Sequence, residues 1–273
     1  MTIAIGMLCQ GGMIVAADTQ MTWDDASTYD AKKVRTAVTS AGSYAIAYSC
    51  PDARAADSLV AKLIADLKAK DPKSLVGVES IAKSTMSQWV SDFTFREDRP
   101  FMQLVLGTFI QHNPADGLAL YFCEPPNTVT RQTLEDSDSK GYIAIGQGHT
   151  VTDPLFRTLF GKLASPHVCL AQLSYLMYRA KKDCRGACGG HTDAVFLKAE
   201  HSEPLEVERR DMAQAESLGQ WMDAALARTA SAIIPEAYLS NKEFFDLASD
   251  IHTKGLGYKN SLQFRSRTGE EIV

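Results

Sequence analysis

The feature that most constrains this chain is the way its hydrophobic period changes in blocks. Short β-branched runs come first, from Thr2 to Met7 and from Met13 to Ala17. Gln10-Gly11-Gly12 between them is a turn signal that reads as a hairpin. A polar stretch through Trp23, Asp24, Asp25 and Asp30 leads to Lys32-Lys33-Val34, and a further strand-like run covers Tyr44 to Tyr48. The period then becomes helical. Ala56, Leu59, Val60, Leu63, Ile64 and Leu67 mark one amphipathic helix, closed by Asp71-Pro72. Val78, Ile81, Ala82, Met86, Trp89, Val90 and Phe93 mark a second. Strand-like segments return at 101–110, 118–123 and 142–145. Helical ones follow at 153–163 and 169–180, and closing strands at 194–198 and 205–208. Elements that arrive in consecutive groups, rather than in βαβ alternation, predict an α+β chain of layered antiparallel sheets covered by helices.

The tail differs in character. Leu218, Trp221, Met222, Ala225 and Leu226 predict an amphipathic helix broken at Ile234-Pro235. Tyr238, Leu239, Phe244, Phe245 and Leu247 predict another over 236–250. The expected organisation is therefore one domain over 1–210 and a C-terminal helical extension over 211–273.

Composition narrows the function classes. A net charge of −5 gives no general attraction to nucleic acid or to an anionic membrane. No run approaches the roughly 20 apolar residues that span a bilayer. The opening MTIAIGMLCQGG lacks the positive n-region of a signal peptide. The six cysteines, Cys9, Cys50, Cys123, Cys169, Cys184 and Cys188, are then expected as reduced thiols in a cytoplasmic protein.

The chemistry concentrates at the start. Thr2 opens the first predicted strand and is small enough for Met1 to be removed. A Thr freed in this way carries its own α-amine, which titrates at about 7.7–8.0 and can take up the hydroxyl proton. On its own, Thr2 is an ordinary strand residue. Its surroundings matter more: TIAIGMLCQGGMIVAADTQMT, with Asp18, Gln20 and Thr22, followed by Lys32-Lys33-Val34-Arg35, resembles the opening of proteasome β-subunits and HslV-like peptidases. The resemblance continues through Tyr44-Ala45-Ile46-Ala47, Ala144-Ile145-Gly146-Gln147-Gly148 and Cys188-Gly189-Gly190, covering about residues 2–200.

That resemblance, to N-terminal nucleophile (Ntn) hydrolases, implies a four-layer αββα sandwich. It implies Thr2 as nucleophile, Lys33 as the ammonium that stabilises developing negative charge, and Asp18 as the group that keeps Lys33 charged and oriented. It also implies an oxyanion-hole N–H after the strand ending near Tyr48, which maps onto Cys50. Gln147 and Cys188 occupy positions where the family carries serines that help position the nucleophile. Asp183 is displaced by two residues from the family's acidic position, and Gln20 and Tyr48 fall where substrate contacts are expected. The implied function is a threonine peptidase acting on polypeptides, with no metal or organic cofactor. The implied assembly is a homo-oligomeric ring, with an ATP-dependent unfoldase as possible partner. The alternatives are a non-catalytic scaffold subunit, or a transpeptidase or small-molecule amide hydrolase on the same fold. Two competing sites carry less. Cys184, Cys188 and His191 have loosely metal-like spacing but no evident fourth ligand. A Cys50 nucleophile would need a histidine base that no spacing singles out.

Overall fold

The computed structural model describes residues 2–22, 27–93, 100–111, 117–135, 141–159, 164–199, 201–233 and 265. The chain opens with strands β1 (Ile3–Cys9) and β2 (Gly12–Asp18), a short ribbon of β3 (Gln20–Thr22) and β4 (Thr28–Asp30), then β5 (Val34–Val38) and β6 (Gly42–Ser49). Helices α1 (Ala53–Lys70) and α2 (Leu75–Ser91) follow. Next come strands β7 (Gln103–Ile110), β8 (Leu118–Glu124), β9 (Thr128–Gln132) and β10 (Tyr142–Gly146). Helices α3 (His149–Leu159) and α4 (Pro166–Asp183), strands β11 (Thr192–Lys198) and β12 (Leu205–Glu206), and helix α5 (Arg209–Ile233) complete the described chain.

Local chemistry sets the helix ends. The Asp52 carboxylate accepts the Arg54 and Ala55 N–H groups at 2.8 and 3.2 Å and starts α1. Lys68 and Lys70 lie in its last turn, and Asp71 ends it at φ 42°. The Ser74 hydroxyl caps α2 through the Gly77 N–H at 3.1 Å.

Two five-stranded antiparallel sheets form the body, in the orders β10-β1-β2-β11-β12 and β5-β6-β7-β8-β9. Side chains alternate across each strand, so both faces of β1, β2 and β6 can be buried at once. Ile3, Ile5 and Met7 of β1 pack with Ile14 of β2 beneath α4 and α5, as in Leu173, Met177 and Met212. Tyr44, Ile46 and Tyr48 of β6 pack beneath α1 and α2, against Leu59, Leu63 and Trp89. The remaining faces meet each other through Ala4, Leu8, Val15, Ala17, Ala45, Ala47, Val105 and Leu120. The approach there is close: a Cβ on Gly6 would lie 2.7 Å from side-chain atoms of Leu120 and Val105.

The α+β class and the grouped order of elements agree with the sequence reading. The ribbon β3–β4 and strands β5 and β9 were not expected as strands, because their polar residues hide the alternation. Strand β9 shows why: it is an outer strand with an exposed and half-buried pattern. Helix α3 begins at His149, four residues earlier than expected. Helix α5 matches the first tail helix. Met212 and Ala215 join the core of the first sheet, and Asp223 accepts from Arg179, Lys182, Tyr175 and Tyr178 of α4. The Glu208 N–H reaches the Arg265 carbonyl at 2.9 Å. The helix expected over 236–250, and Trp23, Asp24 and Asp25, lie outside the described residues. Among the described residues no helix is long and apolar enough to cross a membrane.

Candidate active site

Pairing of β1 with β2, in the register Ala4↔Ala17, brings the start of one strand beside the end of the other. Thr2 and Asp18 meet there. Lys33 comes from the opposite sheet, one residue before β5. The Lys33 ammonium donates to Asp18 Oδ1 at 2.9 Å, to Thr2 Oγ1 and to the Gln20 carbonyl. The Thr2 hydroxyl donates to the same Asp18 oxygen, as does the Ile3 N–H at 3.1 Å. The other oxygen, Oδ2, accepts the Gly189 N–H at 2.9 Å. Asp18 thus has both oxygens engaged, and one of them faces three donors.

Thr2 and Asp18 are 0% exposed and Lys33 is 1% exposed. Burial pushes the Lys33 ammonium below the usual lysine range, and the Asp18 charge opposes that shift. A threonine oxygen held between a carboxylate acceptor and an ammonium donor is suited to nucleophilic attack. The carboxylate orients the hydroxyl, and the ammonium stabilises charge that develops on the oxygen.

An outer frame fixes the two ends. The Thr19 hydroxyl donates to Asp30 Oδ1 at 2.8 Å and accepts the His191 N–H at 2.9 Å, while the Thr19 N–H donates to the His191 carbonyl at 2.9 Å. These bonds tie the end of β2 to β4 and to the start of β11. On the far side of Thr2, Gly146 has φ +79°, and a Cβ there would overlap the Thr2 carbonyl and lie 2.7 Å from Ser49 Oγ. The Gly146 N–H is satisfied by the Gln103 side-chain amide at 3.2 Å.

Of the residues expected from sequence, Thr2, Asp18 and Lys33 come together, and Gln20 joins them through its carbonyl. Cys188 lies close by, beside Gly189, with its thiol pushed up to about 12 by burial and by the Asp18 charge. Cys50 is 2% exposed and packs on the helix-covered face of the second sheet. Its sulfur accepts the Asp52 N–H at 3.4 Å, and burial pushes its thiol up to about 11, which disfavours a Cys50 nucleophile.

Two expected residues, Tyr48 and Asp183, lie elsewhere, and a third, Gln147, sits between Gly146 and Gly148, both of which reach the Thr2 carbonyl. Tyr48 is buried beneath α1, because strand alternation sends it to the helix-covered face. Asp183 is exposed at the end of α4, where Arg179, one turn earlier, holds it at 2.8 Å. Gln147 is exposed on the turn into α3, and its carbonyl accepts the Thr150 hydroxyl at 3.0 Å. Cys184, Cys188 and His191 do not converge, and among the described residues no group of three His, Cys, Asp or Glu could hold a metal ion.

Sequence reasoning missed Thr19, Asp30 and Ser49. The first two sit in the polar stretch whose ribbon was not anticipated. Ser49 was legible in principle: Ala45 and Ala47 face the other sheet, so the same parity aims Ser49 toward Thr2 and Tyr48 away.

Comparison with known proteins revises the family reading. No family model matches the chain, and no curated protein matches it. Solved structures do. An Anbu (Gly-1) mutant from Hyphomicrobium sp. strain MC1 superposes with TM-score 0.70 at 13% identity, covering 85% of this chain and 99% of that one. Anbu, an ancestral β-subunit, from Yersinia bercovieri gives 0.66 at 12% identity, covering 84% and 97%. The helical assembly of the Anbu complex from Pseudomonas aeruginosa gives 0.67 at 14% identity, covering 87% and 100%. The expected membership of the proteasome β-subunit and HslV-like family is therefore corrected. The chain is similar in fold to Anbu proteins, and at 12–14% identity the likeness establishes the fold alone.

Proposed function

We propose that this chain is a threonine-type amide hydrolase whose nucleophile is Thr2 Oγ1, freed by removal of Met1, and whose substrate is a polypeptide. One observation carries the reading: an ammonium buried to 1% exposure donates to both the Thr2 hydroxyl and Asp18. Burying such a charge costs several kcal/mol even when it is paired, and a shape-matched apolar pair would serve the core as well. An arrangement of this kind is expected where a reaction uses the charge.

In this reading the freed α-amine takes the proton from Thr2 Oγ1 as the oxygen attacks the amide carbon. The developing oxyanion is held by a backbone N–H, for which Cys50 remains our assignment, with Lys33 supporting the charge on the nucleophile. The C–N bond breaks as the amine returns the proton to the departing nitrogen, leaving an ester on Thr2. Water then releases the acid; an amine in its place would give transpeptidation. The three apolar layers support description of the fold as a four-layer αββα sandwich over residues 1–210. Residues 211–273 would be an extension docked through α5. Self-association is proposed by analogy with the Anbu helical assembly, and a cytoplasmic site and an unfoldase partner remain part of the proposal.

A second reading, a non-catalytic subunit, draws on the exposed side chain of Gln147 and on the pairing of Asp183 with Arg179. The test is direct. Intact mass first establishes loss of Met1, and a peptide epoxyketone, which needs both the hydroxyl and the free amine, is then applied. Labelling of the native protein and none of Thr2→Ala is the expected result. Absence of label on protein with a free Thr2 amine would leave the non-catalytic reading standing.

A further inference from the structure

Ser49 lies at the last position of β6, 7% exposed, on the face that meets the other sheet. Its oxygen sits against Gly146 beside the Thr2 carbonyl: a Cβ on Gly146 would lie 2.7 Å from the Ser49 oxygen and would overlap the Thr2 carbonyl. The β1–β10 ladder fixes which backbone groups share that side. The Leu8 N–H donates to the Gly141 carbonyl at 2.7 Å, and the Gly148 N–H donates to the Thr2 carbonyl at 3.4 Å. In an extended strand, a residue's N–H and C=O point to the same neighbour. Thr2 therefore presents its nitrogen toward β10, the side on which Ser49 stands, while its side-chain hydroxyl is held by Asp18 and Lys33.

A buried amine that changes charge during a reaction needs a hydrogen-bond acceptor, or its protonated form is strongly disfavoured. Asp18 is already occupied by three donors on one oxygen and by Gly189 on the other. We propose that the Ser49 hydroxyl accepts a hydrogen bond from the Thr2 α-amine, holding it in place and strengthening it as the base that takes up the nucleophile's proton. Ser49 is thus a positioning residue of the Thr2 site, and its role rests on the hydrolase reading above.

The remaining titratable groups around that amine are Lys33 before β5, Asp18 at the end of β2, Cys50 after β6 and Cys188 before β11. His149 at the start of α3 is the last of them, its Nδ1 being 2.5 Å from the Gly146 carbonyl. The measurement is therefore made in both the native and a His149→Gln background.

The experiment is the rate of Thr2 labelling by a peptide epoxyketone from pH 5 to 9, with intact mass as readout and thermal unfolding as control. Full-length native, Ser49→Ala and Ser49→Cys proteins are compared after loss of Met1 is verified. Losing an acceptor for the ammonium lowers the amine's pKa. The acidic limb then moves down by about one pH unit and the plateau rate falls about tenfold. Ser49→Cys, close in shape but a weak acceptor, gives the same shift and so separates hydrogen bonding from packing. A limb that stays in place in both variants overturns the inference, whatever the loss of rate, and leaves the hydrolase reading intact. No labelling of native protein with a free Thr2 amine overturns both.

Discussion

Replacing Lys33 with Met tests how the site is held together. Both side chains of the Lys33–Asp18 pair are 0% exposed, so solvent does not screen their interaction. Removing one partner of a buried pair costs about 3–5 kcal/mol, because the remaining charge is left uncompensated. Asp18 would keep the Thr2 hydroxyl and the Ile3 and Gly189 N–H groups as donors, which places the expected loss at the low end, about 3 kcal/mol. With a urea dependence of about 2–3 kcal/mol/M, the unfolding midpoint falls by about 1–1.5 M. The decisive comparison is with Asp18→Asn and with the Asp18→Asn/Lys33→Met double variant. Once both charges are gone, most of the penalty disappears, giving a coupling energy of about 2 kcal/mol or more. Urea unfolding of the four proteins, followed by fluorescence and far-UV circular dichroism, measures it. Additive losses would refute the picture of a mutually dependent buried pair.

Other outcomes follow from the same geometry. Gly146→Ala places a methyl group against the Thr2 carbonyl at φ +79°, and is expected to destabilise by about 2 kcal/mol or more and to abolish Thr2 labelling; thermal unfolding and intact mass check this. Tyr48→Phe removes a buried hydroxyl that has no partner among the described residues, so stability is expected to hold or rise slightly, and KM for a peptide substrate to stay unchanged. Lys33 must carry its proton to donate to Thr2, so the labelling rate is expected to fall on the alkaline side below the ordinary lysine value of 10.5. The sign for stability runs the other way. Because the folded-state pKa is depressed, the cost of burying the ammonium is present at lower pH. It is relieved as pH rises from the folded value toward 10.5, which unfolding measured at stepped pH detects.

Much of the fold was legible because periodicity reports burial. Strands buried on both faces, such as β1 and β6, stand out as unbroken apolar runs. Helices α1, α2 and α4 show their stripes. Strand β9 and the β3–β4 ribbon did not, since a short polar strand at an edge has little to distinguish it from a loop. The site divided along a similar line. Thr2, Asp18 and Lys33 were singled out by a resemblance in spacing to a known family, and the fold brings their side chains together. A strand reverses its facing at every residue, so Tyr48, expected at the substrate, packs beneath the helices while its neighbour Ser49 faces Thr2. Asp183 was misplaced for a different reason: a helix offers a carboxylate an arginine one turn away, and that local partner prevailed over the site.

The two sheets have a bearing on how the site can vary. Thr2 and Asp18 belong to one sheet and Lys33 to the other, and between the sheets stand Ala4, Ala17, Ala45 and Ala47. Ala47 is in register with Val34, the residue next to Lys33. The reach of the Lys33 ammonium to the Thr2 hydroxyl therefore depends on small side chains set between two separately hydrogen-bonded sheets. An added methylene at Ala47, far from any reacting atom in chemical terms, would wedge the sheets and carry Lys33 away from Thr2. Reaction rates fall by about a hundredfold for displacements of about 1 Å, so these alanines constrain the site as tightly as the residues that touch it.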